Sequence, residues 1–148
     1  MKSAYYDATY LFKLQCVENG TLEVRAHAAS VDTLFCGLHG RAEFASACHR
    51  KMREGSGTLS QLQAMLAQLQ EDTAAGALHW LALTGASVAL AEKAYLSAPS
   101  STYLRAFDAL HLACAVENGF TEVYSNDRHF LAAAPLFGLR GVNIIPTP

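Results

Sequence analysis

The sequence is short of charge. Lys, Arg, Asp and Glu make up 16% of its 148 residues, against about 25% in an ordinary globular chain. The signs nearly cancel, 11 Lys and Arg against 13 Asp and Glu, for a net −2. A basic coat for nucleic acid is thereby excluded, and any contact with a polyanion has to be local. Disorder is excluded as well, because 51% of the residues are apolar and there is no charge excess. No apolar run approaches the ~18 residues of a membrane span. No secretory leader is expected, since the N-terminus reaches Asp7 before any apolar stretch can develop. The four cysteines, Cys16, Cys36, Cys48 and Cys114, form no C-x-x-C pair. That spacing excludes a zinc-finger or disulfide framework and fits buried or half-buried free thiols in a reducing cytoplasm.

Alanine is abundant, at 26 residues, and proline is rare, at 4; both favour helix. The pattern predicts strands at Ser3–Tyr6, Thr33–Cys36, Leu78–Leu83, Thr121–Ser125 and Gly141–Ile145. Helices are expected at Thr9–Val17, Leu22–Ser30, His39–Arg53, Leu59–Ala75, at a segment capped by Thr84 or Ser87 and running to Ser97, at Thr102–Asn118, and at Arg128–Phe137. The clearest periodicity is Leu59, Leu62, Leu66 and Leu69, at spacings of three and four. Short apolar strands alternating with helices point to an α/β fold with a mainly parallel sheet covered on both faces. No repeat or linker interrupts residues 1–148, which read as one domain.

Ligands of such a sheet bind beyond the carboxyl ends of its strands. Asp7 directly follows the first expected strand, Asp127 follows the fourth, and Glu43 lies early in the helix after the second. Asp108 is the only charge in the apolar stretch Ala106–Val116, with His111 at helical spacing. A buried carboxylate of this kind requires a cation, a hydrogen-bond network or a metal. Taken singly, each acid has an ordinary explanation. Asp7 and Asp127 fit as helix N-caps, Glu43 as an early-helix charge, Asp108 as the partner of Arg105, and His111 as a core histidine. Their joint placement is what suggests a site. Carboxylates without companion Cys or several His select hard divalent ions, Mg2+ or Mn2+. Such ions stabilise the attacking and leaving oxygens of phosphodiester hydrolysis.

Four blocks carry a resemblance. They are Tyr5-Tyr6-Asp7-Ala8-Thr9-Tyr10-Leu11, Arg41-Ala42-Glu43-Phe44, Leu104-Arg105-Ala106-Phe107-Asp108-Ala109-Leu110-His111-Leu112-Ala113, and Tyr124-Ser125-Asn126-Asp127-Arg128-His129-Phe130. In order and spacing they resemble the PIN-domain family, in particular its small VapC-type toxins of type II toxin–antitoxin systems. The resemblance implies a PIN-like three-layer α/β/α sandwich with a mainly parallel five-stranded sheet. It further implies a Mg2+- or Mn2+-dependent endoribonuclease. Asp7, Glu43, Asp108 and Asp127 would be its catalytic, metal-binding acids, with Thr9 and Ser125 as supporting hydroxyls. Lys13, Arg41, Arg105 and Arg128 are candidates to hold RNA phosphates. Ser125 stands where Thr is more usual and keeps the hydroxyl. Arg128-His129-Phe130 offers no fifth acid, which leaves one metal or two open. The implied partners are RNA, a cognate antitoxin and a second copy of the chain, in the cytoplasm and away from membrane. Leu11, Phe12, Leu14 and the Leu59 stripe are either core or the lining of such interfaces.

Two other readings compete. A haloacid-dehalogenase-type phosphatase would want D-x-D after the first strand, and Thr9 stands at the second acid's place. A non-catalytic PIN-like binding module with a dormant metal site would be marked by loss of an acid, and all four are present.

Overall fold

The computed structural model describes residues 1–147. Its strands are β1 (Ser3–Tyr5), β2 (Thr33–Gly37), β3 (Leu78–Leu81), β4 (Glu122–Tyr124) and β5 (Arg140–Val142). Its helices are α1 (Ala8–Gln15), α2 (Thr21–Ala29), α3 (Gly40–Arg53), α4 (Leu59–Ala74), α5 (Gly85–Ser97), α6 (Ala106–Glu117) and α7 (Arg128–Ala133), the last followed by a 3-10 turn over Ala134–Phe137. β1, β2 and β3 pair in parallel, and so do β4 and β5. A parallel bridge between Tyr6 and Tyr124, with the Asp7 N–H donating to the Tyr124 carbonyl at 3.1 Å, joins the two groups. The strand order is therefore β3-β2-β1-β4-β5, every pairing parallel, as the alternation of elements predicts.

Successive strand residues face opposite sides, and the chain follows that rule closely. Ala4, Tyr6, Leu34 and Cys36 enter the apolar layer under α1–α4. Tyr5 and Phe35 enter the other layer, with Leu112, Val123 and Phe130 of the α6 side. The sheet is thus sandwiched between two cores. Leu11 and Phe12 are buried in the first of these cores. In α4, Leu69 is buried and Leu62 and Leu66 half-buried, while Leu59 stays exposed. All four cysteines are free; Cys36, Cys48 and Cys114 are buried and Cys16 half-buried. Among the described residues, no helix is long and apolar enough to cross a membrane.

Three expected boundaries are corrected. The helix expected over Thr102–Asn118 begins at Ala106; Arg105 is extended, with φ −82° and ψ 148°. The Leu104 carbonyl is taken by the Tyr95 hydroxyl at 2.7 Å, so the apolar run is anchored to α5 before it coils. The helix expected over Arg128–Phe137 tightens to a 3-10 turn at Ala134, because Pro135 has no N–H to continue the ladder. The last strand lies one to three residues earlier than expected. Asn143 Oδ1 there accepts from the Tyr10 hydroxyl and the Ile145 N–H, at 2.7 and 3.1 Å, in place of ladder bonds.

Gly20 caps α2 with φ +92°, and a Cβ there would sit 2.5 Å from Ile145 Cδ1. Both the left-handed backbone and the close approach of the C-terminal segment favour glycine. Gly20→Ala is expected to lose about 1–3 kcal/mol, read as a lower urea midpoint. An unchanged midpoint would show that Ile145 moves aside freely.

Candidate active site

The four acids singled out in the sequence come from four separate segments and line one cavity of about 700 Å3. Asp7 follows β1, Glu43 sits in the first turn of α3, Asp108 in the first turn of α6, and Asp127 precedes α7. The cavity lies at the carboxyl edge of the sheet, as expected for a parallel α/β fold. The ordinary explanations also hold. Asp7 caps α1 through the Tyr10 N–H at 3.2 Å, and Asp127 caps α7 through the N–H groups of His129 and Phe130 at 2.8 and 3.1 Å. Capping takes Oδ1 of each carboxylate; Oδ2 of Asp7 accepts from the Ser125 hydroxyl and Oδ2 of Asp127 pairs with Arg105.

Asp7 is the most enclosed acid, at 5% exposure. The Thr9 hydroxyl donates to its Oδ1 at 2.6 Å and the Ser125 hydroxyl to its Oδ2 at 2.5 Å. Ser125 Oγ in turn accepts the Asp127 N–H at 2.9 Å. The two hydroxyls therefore tie β1's end to β4's end through one carboxylate. Burial pushes the Asp7 carboxyl up to about 7, despite those donors.

Arg105 joins the other side. Its Nη2 lies 2.7 Å from Asp108 Oδ2 and 2.7 Å from Asp127 Oδ2, and its Nε donates to Asp108 Oδ2 at 2.8 Å. The two acids respond differently to this shared cation. Burial raises the Asp108 carboxyl in spite of the guanidinium. Burial opposes ionisation of Asp127 too, but there the Arg105 and helix N–H bonds outweigh it and hold the carboxyl low. The extended backbone at Arg105, missed in the sequence, lets its side chain fold back over both acids.

Glu43 is held by a buried relay. The Gly37 N–H donates to Tyr5 Oη at 2.9 Å, and the Tyr5 hydroxyl donates to His111 Nδ1 at 2.6 Å. Nε2–H of His111 then donates to Glu43 Oε1 at 2.5 Å. His111 is 1% exposed, and burial lowers it to about 4. It is therefore a neutral hydrogen-bond donor at pH 7, and the short contact to Glu43 is a hydrogen bond rather than an ion pair. Burial also raises the Glu43 carboxyl. His39, which from sequence alone reads as the start of a helix, lies against His111 with ring centroids 3.8 Å apart and planes tilted by 36°.

Of the four basic candidates, two line the cavity and two do not. Lys13 is buried beside it but committed, donating to Glu18 Oε1 at 2.9 Å and to the Asn19 carbonyl at 2.7 Å. Arg105 is committed to Asp108 and Asp127. Arg41 lies 6.0 Å over the Trp80 ring, in a separate groove between α3 and α4. Arg128 is exposed on α7. Arg50 and Lys51, on the last turn of α3, line the cavity and were not singled out; their signal is three basic residues at a helix end.

Burial raises three of the four carboxyls, and carboxylates as a type suit a hard divalent cation; among the described residues, however, no three of these acids bring their oxygens within 4.8 Å of one another. Glu18 also lines the cavity, but its carboxylate is paired with Lys13.

No protein-family model matches the chain, and no curated protein sequence does. Among solved structures it is similar to VapC20 of Mycobacterium tuberculosis, a sarcin-ricin loop cleaving toxin. The TM-score is 0.67 at 19% identity, over 88% of this chain and 94% of that one. The chain has a PIN-like fold. At that identity the likeness is one of architecture. It agrees with the fold that the four sequence blocks imply, an α/β/α sandwich around a parallel sheet.

Proposed function

We propose that the chain is a metal-dependent endoribonuclease, the toxin of a toxin–antitoxin pair. The observation that carries this reading is the convergence of Asp7, Glu43, Asp108 and Asp127 on one cavity from four separate segments. The PIN-like fold shared with an RNA-cleaving toxin supports it. On this reading the four acids hold Mg2+ or Mn2+. A bound ion of that kind offsets charge on a phosphate under in-line attack and makes water a nucleophile at neutral pH.

The chain's own residues prepare that chemistry. Thr9 and Ser125 fix both oxygens of Asp7, so its orientation costs no reorganisation when substrate arrives. His111 fixes Oε1 of Glu43 and leaves Oε2 unencumbered. Arg105 balances the charge of Asp108 and Asp127 while no ion is bound. Arg50, Lys51 and Arg105 border the acids with positive charge, and a phosphodiester entering the cavity meets them beside the carboxylates. VapC20 cleaves the sarcin-ricin loop, so an RNA loop with unstacked bases is the first substrate class to test. A cognate antitoxin, self-association and a cytoplasmic site of action complete the proposal.

The test is cleavage of total cellular RNA by the purified chain with Mn2+ or Mg2+. Discrete fragments are expected, lost in EDTA and reduced at least 100-fold in Asp108→Asn. Mn2+ binding without cleavage of any RNA pool would favour a binding module with a dormant site. Cleavage that persists in EDTA would overturn the four-acid reading.

A further inference from the structure

We propose that His39, Glu43 and His111 form a second metal site, one that takes a borderline transition ion such as Zn2+ rather than Mg2+. This inference does not depend on the chain cleaving RNA. His39 and Glu43 stand four residues apart at the head of α3, one above the other on the same helix face. His111 reaches them from α6. One ligand atom of each of the three lies within 4.8 Å of those of the other two.

The tautomer of His39 supplies an independent observation. Its Nε2 lies 3.0 Å from the Phe107 carbonyl, which only accepts, so the ring proton is on Nε2. Nδ1 then carries a lone pair. Among the described residues it is the one buried side-chain nitrogen or oxygen with no hydrogen-bond partner. Buried acceptors are rarely left unmatched. A ligating histidine that donates its other N–H to a backbone carbonyl is the usual arrangement around a metal. Two imidazoles and one carboxylate select zinc and its neighbours over magnesium.

Binding requires a small rearrangement. The 2.5 Å hydrogen bond between His111 Nε2 and Glu43 Oε1 opens to admit an ion with bonds of about 2.0–2.2 Å. The proton on His111 Nε2 moves to Nδ1, and the Tyr5 hydroxyl rotates its own proton off that line so that its oxygen accepts from Nδ1–H in place of donating to it. Water completes the coordination. Glu43 also lines the acidic cavity, so an ion held here draws one carboxylate away from the other three.

Titration of the metal-free protein with Zn2+, and separately with Co2+, tests the site. One equivalent is expected to bind. His39→Ala and His39→Gln, the latter keeping a side-chain N–H for the Phe107 carbonyl, should each weaken Zn2+ by at least about tenfold. Asp108→Asn, which removes a cavity acid outside this cluster, should leave Zn2+ affinity unchanged while weakening Mn2+. The Co2+ complex should show visible d–d bands without thiolate charge transfer. Absence of stoichiometric binding, equal affinity in the His39 variants, or a thiolate band assigning the ion to the cysteines would each overturn the proposal. Should both variants fail to fold, the ring resonances of His39 and His111 in the unmodified chain decide it: they shift together on adding one equivalent of Zn2+ if the site exists and stay in place if it does not.

Discussion

Asp7→Asn is expected to stabilise the metal-free protein at pH 8 while abolishing metal-dependent cleavage. The Asp7 carboxyl is pushed from 3.8 to about 7 by burial. At roughly 1.36 kcal/mol per pKa unit, that places about 4 kcal/mol on the ionised form. The sign follows from linkage. A carboxyl raised in the folded state contributes stability that is complete below about pH 4 and lost as pH rises through about 7. Asparagine carries no such charge. It keeps an oxygen for the Thr9 hydroxyl and the Tyr10 N–H, but gives the Ser125 hydroxyl no acceptor, a loss of about 1 kcal/mol. The net gain at pH 8 in EDTA is therefore about 2–3 kcal/mol, or about 6 °C in Tm for a chain of this size. At pH 5, about one unit above the unfolded value, the gain should shrink to under about 1 kcal/mol.

The comparison has to be made as a difference between the two proteins. His111, lowered to about 4 by burial, and His39, lowered by burial and by its neighbour, work in the opposite direction. Their contribution is present above about 6.5 and is lost as pH falls toward 4, so it blunts the pH curve of the unmodified chain. Subtracting the variant removes them. Adding Mn2+ should raise the Tm of the unmodified protein and leave that of Asp7→Asn nearly unchanged. A difference between the two that is the same at pH 5 and pH 8 would show that Asp7 is not held against its charge.

The acids were legible in the sequence because each follows a recognisable apolar run. A carboxylate after a strand, or alone within an apolar helix, is visible without coordinates. The hydroxyls of Thr9 and Ser125 were legible at the same positions, two residues from an acid. Three things were not. Tyr5 reads as an ordinary strand residue, and nothing local tells that its hydroxyl meets His111 across 106 residues. His39 reads as the start of a helix; its four-residue spacing from Glu43 was the one available signal, and His111 comes from a distant helix. Arg105 reads as helix from sequence alone, because apolar spacing continues through Leu104 and Phe107. The extended backbone there is set by tertiary contacts, the Tyr95 hydroxyl on one side and two carboxylates on the other. The same physics explains the strands. β2 was readable from its continuous apolar run, whereas β5 is three residues long and ends where Asn143 takes over the hydrogen bonding.

Arg105→Gln is expected to tighten Mn2+ binding by at least tenfold and, at saturating Mn2+, to raise the KM for RNA. In the metal-free protein the guanidinium is bound to Asp108 and Asp127 together, 2.7 Å from each. It is a cation already satisfying two of the four carboxylates that, on the nuclease reading, hold the ion. Metal and arginine therefore compete. Unit charges 4 Å apart interact by about 4 kcal/mol at an effective dielectric of 20, and tenfold in affinity is only 1.4 kcal/mol, so even a heavily screened guanidinium leaves a measurable effect. Arg105 is 39% exposed in its side chain, which is why the expectation stops at tenfold. Without metal, the variant should lose about 1–3 kcal/mol, because Asp108 is buried and would keep no cation. Mn2+ should restore that loss. A guanidinium displaced from the acids is free to grip a phosphate bidentately, and glutamine is not, hence the rise in KM. Arg105→Lys separates charge from shape. It should retain most of the competition with Mn2+ and lose the two-pronged grip. Weaker Mn2+ binding in Arg105→Gln would mean that the arginine is needed to orient the acids, and the competition would be refuted.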